Sequence, residues 1–119
     1  MATTVLLNRS PHAVRQARHE ARGWLMSHPR AWVAEIEVEI VVSELVANAV
    51  LNGSEPIVLS LDERDGLIRI SVSDGNPELP QENEDDDRMT FGLKIVRALA
   101  HRFGASRRGV DGKTTWAEF

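Results

Sequence analysis

Hydrophobic and polar positions along the chain follow helical spacing in some segments and strand alternation in others. The stretch "TTVLLN" near the start is short and rich in β-forming residues, which indicates an edge strand. Between Ser10 and His28 the apolar residues recur at helical spacing, with Ser10 as the expected N-cap and Pro11 at the first helical position. A second helix is predicted from about Ala31 to Leu51. Its second half is apolar almost all round, so we expect it to be covered on most sides.

Two strands are predicted after this helix. "IVLSL" and "LIRISVS" are separated by a segment that contains Asp65-Gly66, a dipeptide that favours a tight hairpin turn. In the second strand the isoleucines and the valine share one face, because successive side chains of a strand point to opposite faces. The same parity places Asp74 on the apolar face, where a carboxylate is unusual.

The last third of the chain contains a loop, a helix and a hairpin. "GNPELPQENEDDDRMT" has little periodicity and many acids, which predicts a loop. "FGLKIVRALAHRFG" predicts a helix that stops at Gly104, and the remaining residues predict a hairpin that turns near Asp111-Gly112. The element order β-α-α-β-β-α-β-β predicts an α+β two-layer sandwich formed by one domain, residues 1–119. Its sheet should be mixed and mostly antiparallel, with the helices packed on one face.

Composition narrows the class of protein. A chain of 119 residues suffices for one domain with its own core. The formal net charge of −4 argues against direct binding of nucleic acid as the main activity. Cysteine is absent, and no segment approaches the ~20 apolar residues that span a bilayer. We therefore expect a cytoplasmic protein that is not attached to a membrane.

Four residues carry candidate chemistry. Glu44 and Asn48 lie four positions apart on the second helix, so their side chains aim at the same region. The carboxylate can act as a general base, and the amide oxygen is a ligand of the kind that Mg²⁺ prefers. Asp74 could accept a hydrogen bond from the amino group of a purine. Gly92 opens a helix whose free N–H groups suit phosphate. Together they predict a pocket for a purine nucleotide with Mg²⁺.

The order of these motifs resembles the ATP-binding domain of the GHKL superfamily, the Bergerat fold of gyrase, Hsp90, histidine kinases and MutL. "VVSELVANAV" is similar to the N-box, "VSDGNPELP" stands at the first glycine box, "FGLKIVRALAHRFG" at the second, and "GKTTWAEF" at the closing strand. The resemblance covers most of the chain. It is strongest to the small stand-alone branch, the anti-sigma-factor serine-protein kinases and related short ATP-binding regulators of actinomycetes.

The resemblance implies a role for each matching residue. Glu44 would be the catalytic base or orient a water, and Asn48 would be the Mg²⁺ ligand. Asp74 would bind the adenine amino group, and Thr114 would support that network from its strand. Gly92 and Leu93 would supply backbone near the phosphates. The expected cofactor-binding residues, for ATP with Mg²⁺, are therefore those of the N-box, the two glycine boxes and the closing strand: Asn48, Asp74, Asn76, Gly92, Leu93 and Thr114.

The chain departs from the family pattern at three glycines. The first box commonly reads Asp-x-Gly-x-Gly, but Asn76 and Glu78 occupy the glycine positions here. The second box commonly begins Gly-x-Gly, and Thr90 replaces its first glycine. A Cβ at that position crowds a phosphate that approaches the backbone.

Two functions from different classes follow. The first is an ATP-dependent serine-protein kinase that transfers phosphate to a STAS-type anti-anti-sigma partner and also sequesters a sigma factor. The second is a non-catalytic binding module that keeps the fold and regulates by capturing its partner. Glu44 and Asn48 favour the first, and the altered glycine boxes favour the second. A homodimer is expected if the kinase branch applies. An α+β domain with accidental motif matches is the remaining alternative.

Overall fold

A five-stranded sheet with helices packed on one face forms the fold. The computed structural model describes residues 2–28, 34–79 and 91–119. The described elements, in chain order, are β1 (Ala2–Leu7), α1 (Ala13–Met26), α2 (Glu35–Asn52), β2 (Ile57–Arg64), β3 (Leu67–Asp74), α3 (Phe91–Leu99), β4 (Arg102–Arg107) and β5 (Lys113–Glu118). The predicted α+β two-layer sandwich is confirmed.

The strands are arranged in the order β1-β2-β3-β5-β4. The sheet was expected to be mixed and mostly antiparallel, and all of its pairings among the described strands are antiparallel. Asp65 and Gly66 link β2 to β3 with φ angles of 52° and 83°. Both values lie in the left-handed region, which two-residue hairpin turns of type I′ require. The hairpin predicted at Asp65-Gly66 is therefore confirmed.

The core lies between the sheet and α2. On β3 the buried residues are Ile68, Ile70 and Val72, and Asp74 follows them on the same face. The burial of Asp74 confirms the prediction that strand alternation directs its side chain toward the helices. Helix α2 contacts α1, α3 and β3, so only a narrow part of its surface is open. That position explains why α2 is apolar on most sides.

The first helix begins later than its start signal suggests. The N-cap of α1 is His12, whereas Ser10 was expected there. Ser10 instead begins a turn: its hydroxyl oxygen accepts a hydrogen bond from the His12 N–H, and its carbonyl oxygen accepts one from the Ala13 N–H. A serine can satisfy backbone N–H groups in a turn as well as at a helix start, and sequence does not separate the two.

The third helix is shorter than predicted. It ends at Leu99, and both Phe103 and Gly104 belong to β4. Gly104 pairs with Trp116 of β5, and a Cβ at Gly104 would lie 2.6 Å from the Trp116 ring. The glycine therefore makes room for an indole on the sheet and does not stop a helix.

Two predicted features lie outside the described residues. These are the start of the second helix at Ala31 and the acidic loop before Phe91, including Thr90. In the part of the chain that is described, no helix is long and apolar enough to cross a membrane.

We expect Gly104→Ala to lower the free energy of unfolding by about 1–3 kcal/mol, because the new methyl group overlaps the Trp116 ring. Gly23→Ala is the matched control. Gly23 lies in α1 with no atom near its missing Cβ, so alanine there should raise stability by about 0.5–1 kcal/mol. Urea unfolding of the three proteins measures both effects. Equal stability of Gly104→Ala and wild type would contradict the close packing.

Candidate nucleotide-binding site

A line of polar side chains runs along the otherwise apolar helix α2. Glu44, Asn48 and Asn52 are spaced four residues apart and therefore share one face of the helix. Asn48 is 8% exposed, and its Oδ1 accepts a hydrogen bond of 3.1 Å from Asn52 Nδ2. Glu44 is only partly buried. The predicted pair at Glu44 and Asn48 is thus part of a longer polar face.

The line continues onto the segment that follows β3. The Asn76 side chain donates a hydrogen bond of 2.9 Å from Nδ2 to the Asn52 carbonyl oxygen. The Asn76 backbone N–H donates one of 2.8 Å to Asp74 Oδ1. Hydrogen bonds therefore connect Asn48, through Asn52 and Asn76, to Asp74. The structure brings together residues that are far apart in sequence.

Asp74 forms a buried ion pair with Lys113 at the start of β5. Lys113 Nζ lies 3.2 Å from each carboxylate oxygen and donates a further hydrogen bond of 3.1 Å to the Asn76 carbonyl oxygen. The side chains of Asp74 and Lys113 are 3% and 4% exposed. Because two buried charges need partners, each one accounts for the burial of the other.

Two glycines shape the surroundings of Asp74. Gly53, the C-cap of α2, lies so close that a Cβ there would be 2.6 Å from the Asp74 carboxyl carbon. Gly112 has a φ of 152°, and a Cβ on it would overlap the Asp74 carbonyl oxygen. Both positions require glycine if Asp74 is to keep its place.

The segment that follows β3 is held by cations of the β4–β5 hairpin. Arg107 Nε donates to the Pro77 carbonyl oxygen at 3.1 Å, and Arg108 Nη2 donates to the Asp74 carbonyl oxygen at 3.1 Å. Lys113 contacts the same segment through Asn76. These contacts fix the backbone of residues 74–77 without the glycines of the family pattern.

Glu44 lies against the first turn of α3. A Cβ on Gly92 would overlap Glu44 Oε2, so only glycine fits at this position without a shift of the carboxylate. The first N–H groups of a helix have no partner within the helix and create a positive end that favours anions. The carboxylate of Glu44 and an incoming phosphate would therefore share the same surroundings.

Leu93 and Thr114 are placed differently from the other candidates. The Leu93 side chain is 1% exposed and belongs to the core, so its backbone is the part that can face a ligand. Thr114 lies on the face of the sheet away from the helices, where its hydroxyl is 2.9 Å from that of Ser73. Thr115, the next residue, is buried on the same face as Asp74.

Sequence reasoning missed Lys113, Asn52 and Gly53. Asn52 continues the four-residue spacing of Glu44 and Asn48, so this signal was present in the sequence. Gly53 carries no sequence signal beyond its position just after the predicted second helix. The importance of Lys113 follows from its cross-strand pairing with Asp74, and a register between distant strands cannot be read from either strand alone.

The expected Mg²⁺ site has one protein ligand, Asn48. Among the described residues, no cluster of three or more histidine, aspartate or glutamate side chains could hold a metal. Asn48 offers one amide oxygen. Since Mg²⁺ in phosphate sites takes its remaining ligands from phosphate and water, one protein oxygen is consistent with its binding together with a nucleotide.

Comparison with known proteins identifies the family. The family described as "Histidine kinase-like ATPase domain" matches residues 7–119, so the chain belongs to it. The fold is similar to part of a solved chain that contains the RsbU and RsbW domains of Rv1364c from Mycobacterium tuberculosis. The TM-score is 0.76 at 23% identity over 99% of this chain. The alignment covers 32% of that longer chain. No curated protein sequence matches this one.

We expect the Asp74–Lys113 pair to show strong energetic coupling. Asp74→Asn or Lys113→Met alone leaves one buried charge unpaired and should cost about 3–5 kcal/mol of unfolding free energy. The double variant removes both charges, so its loss should be smaller than the sum of the single losses. A double-mutant cycle in urea measures this coupling.

The pair between Asp62 and Arg64, whose arginine side chain is exposed, is the control for this cycle. Its Oδ2 to Nε distance is also 3.2 Å, but the Arg64 side chain is 80% exposed. In a double-mutant cycle with Asp62→Asn and Arg64→Met, the coupling free energy between these two residues should not exceed about 1 kcal/mol. Equal coupling for the two pairs would show that the Asp74–Lys113 pair is not a buried interaction in solution.

Proposed function

We propose that this protein is an ATP-binding regulator that acts as a serine-protein kinase on a STAS-type anti-anti-sigma partner and also binds a sigma factor. The observation that carries the proposal is the position of Glu44. Its carboxylate lies against Gly92 at the first turn of α3 and on the same helix face as Asn48. A candidate base thus lies beside a helix N-terminus, and a candidate metal ligand lies on the same helix face as that base.

The spacing of the site supports a nucleotide as the ligand. From Glu44 to Asn52 the helix rises about 12 Å, at 1.5 Å per residue. Asn52 adjoins Asn76, which in turn bonds Asp74. A base held at Asp74 and phosphates held near α3 would lie at opposite ends of this line, an arrangement that an extended nucleoside triphosphate can span.

The proposed roles follow from the chemistry of each group. Asn48 would supply an oxygen ligand to Mg²⁺, and the first turn of α3 would supply N–H groups to phosphate. Glu44 would accept the proton of the partner's serine hydroxyl as that oxygen bonds to the terminal phosphorus of ATP and the bond from this phosphorus to the bridging oxygen breaks, with ADP as the leaving group. We propose Thr115, on the same face as Asp74, as the hydroxyl near the base, in place of the earlier candidate Thr114, which lies on the opposite face.

The partners are proposed from likeness. The resemblance to anti-sigma-factor kinases supports a STAS-type substrate and a sigma factor, and the fold shared with an RsbW domain is consistent with it. A cytoplasmic location and a homodimer are part of the same proposal.

A binding module without catalysis is the second candidate. Lys113 already pairs with the carboxylate that would bind adenine, and Asn76 and Glu78 replace glycines of the first box. These features would weaken nucleotide binding while leaving a surface that captures a protein.

Equilibrium binding of ATP and ADP, with and without Mg²⁺, tests the nucleotide site. We expect Mg²⁺ to strengthen ATP binding, and Asn48→Ala to weaken the Mg²⁺-dependent binding by at least about tenfold through loss of the oxygen ligand. Asn8→Ala, a change at an exposed asparagine after β1, should have no effect. Absence of binding at millimolar nucleotide would exclude the kinase and leave the binding module.

Phosphate transfer tests the role of Glu44. Glu44→Gln keeps the shape of the side chain but cannot accept the proton, so transfer to a STAS-type partner should fall by about 10²–10⁴-fold while ATP binding is retained. Glu35→Gln, at an exposed glutamate of the same helix, should transfer normally. Normal transfer by Glu44→Gln would remove Glu44 from the proposed role.

A further inference from the structure

We propose that Lys113 determines which purine bases the site accepts, and that it allows 6-oxopurine nucleotides to bind alongside ATP. This inference rests on the proposed nucleotide site and concerns the selectivity of its base pocket. It starts from the buried ion pair between Asp74 and Lys113, which places a hydrogen-bond donor within reach of the expected adenine-binding carboxylate.

The surroundings of the carboxylate bring an incoming base close to Lys113. Asp74 Oδ1 accepts the Asn76 N–H at 2.8 Å. Gly53 lies against the carboxyl carbon and Oδ2, since a Cβ there would be 2.6 Å and 2.9 Å from these atoms. Lys113 Nζ covers the space between the two oxygens, 3.2 Å from each. A base that bonds to Asp74 therefore comes near the ammonium group.

The ammonium group can reach a base without leaving its partner. Nζ donates hydrogen bonds to Asp74 Oδ1 and to the Asn76 carbonyl oxygen, and it lies 3.2 Å from Asp74 Oδ2. The four-carbon stem of lysine is flexible, so Nζ can move from one of these acceptors to a neighbouring atom while the ion pair is kept. Arg108 is bonded to the Asp74 carbonyl oxygen and is less suited to this role.

The two kinds of purine make opposite demands at position 6. Adenine presents an amino group, which donates to a carboxylate. A 6-oxopurine such as hypoxanthine presents a carbonyl oxygen there, which a carboxylate alone repels. A site that leaves buried polar groups unpaired rejects the wrong ligand by about 10⁴–10⁵-fold. The ion pair removes this penalty, because Asp74 can accept from adenine and Lys113 can donate to the carbonyl oxygen.

Binding of ATP and inosine triphosphate to the intact protein, measured by calorimetry with Mg²⁺, tests the proposal. Inosine triphosphate carries the 6-oxo group together with an N1–H donor in place of the N1 acceptor of adenine, and it lacks the 2-amino group of guanine, so it probes the edge of the base formed by positions 1 and 6. We expect its Kd to be within about tenfold of that for ATP, because neither base leaves a buried group unpaired. A larger preference for ATP would overturn the proposal. Failure of ATP itself to bind would instead reject the proposed function.

The variant Lys113→Met tests the residue itself. It removes the ammonium group and keeps a side chain of similar length, so the preference for ATP over inosine triphosphate should increase by at least about tenfold. Arg64→Met removes one positive charge from an exposed site and should leave the preference unchanged. An unchanged preference in Lys113→Met would overturn the role of Lys113. If this variant does not fold, the ratio of the Kd values of ATP and inosine triphosphate for the wild-type protein still tests whether the site accepts both purines.

Discussion

The buried ion pair between Asp74 and Lys113 is the interaction on which the candidate site depends. It joins the end of β3 to the start of β5. Lys113 also bonds to Asn76, and the Asn76 side chain bonds to Asn52 at the end of α2. Removing two charges from water is costly, so such a pair persists only where hydrogen bonds complete it. Here the Asn76 N–H and carbonyl oxygen do so. The sheet and the helix layer therefore meet at a fixed polar point in an otherwise apolar core.

Close backbone approach is the second constraint. Gly53 and Gly112 allow the chain to pass against Asp74, and Gly92 does the same for Glu44. Each of these glycines lies beside a residue of the candidate site that carries a carboxylate. The altered first glycine box has a structural counterpart: cations of the β4–β5 hairpin hold residues 74–77, which include Asn76 at one of the two replaced glycine positions. This segment is held by charge and hydrogen bonds, which fixes its shape before any ligand arrives.

The two ends of the polar line differ in electrostatics. At one end a carboxylate, Glu44, lies at the positive end of α3, where phosphate is expected. At the other end an ammonium group lies on the carboxylate where a base amino group is expected. At the phosphate end, the Glu44 carboxylate is negatively charged like the phosphate that would bind there. At the base end, the Lys113 ammonium group is a hydrogen-bond donor like the amino group of the base that would bind there. Binding of nucleotide would require Glu44 and Lys113 to share their present partners, so the affinity depends on how easily these two side chains adjust.

The element order, the Asp65-Gly66 hairpin and the inward direction of Asp74 follow from local sequence patterns, because turn chemistry and strand parity act between near neighbours. The sequence also placed Glu44 and Asn48 on one helix face. It misassigned Ser10 and Gly104, whose roles depend on competing partners: a local turn for Ser10 and the Trp116 ring for Gly104. Three facts emerge only from the folded chain. Lys113 pairs with Asp74, and Thr115, not Thr114, lies on the same sheet face as Asp74. Gly53 approaches Asp74 so closely that only glycine fits there. These facts depend on strand register and on contacts between distant segments, which no local pattern encodes.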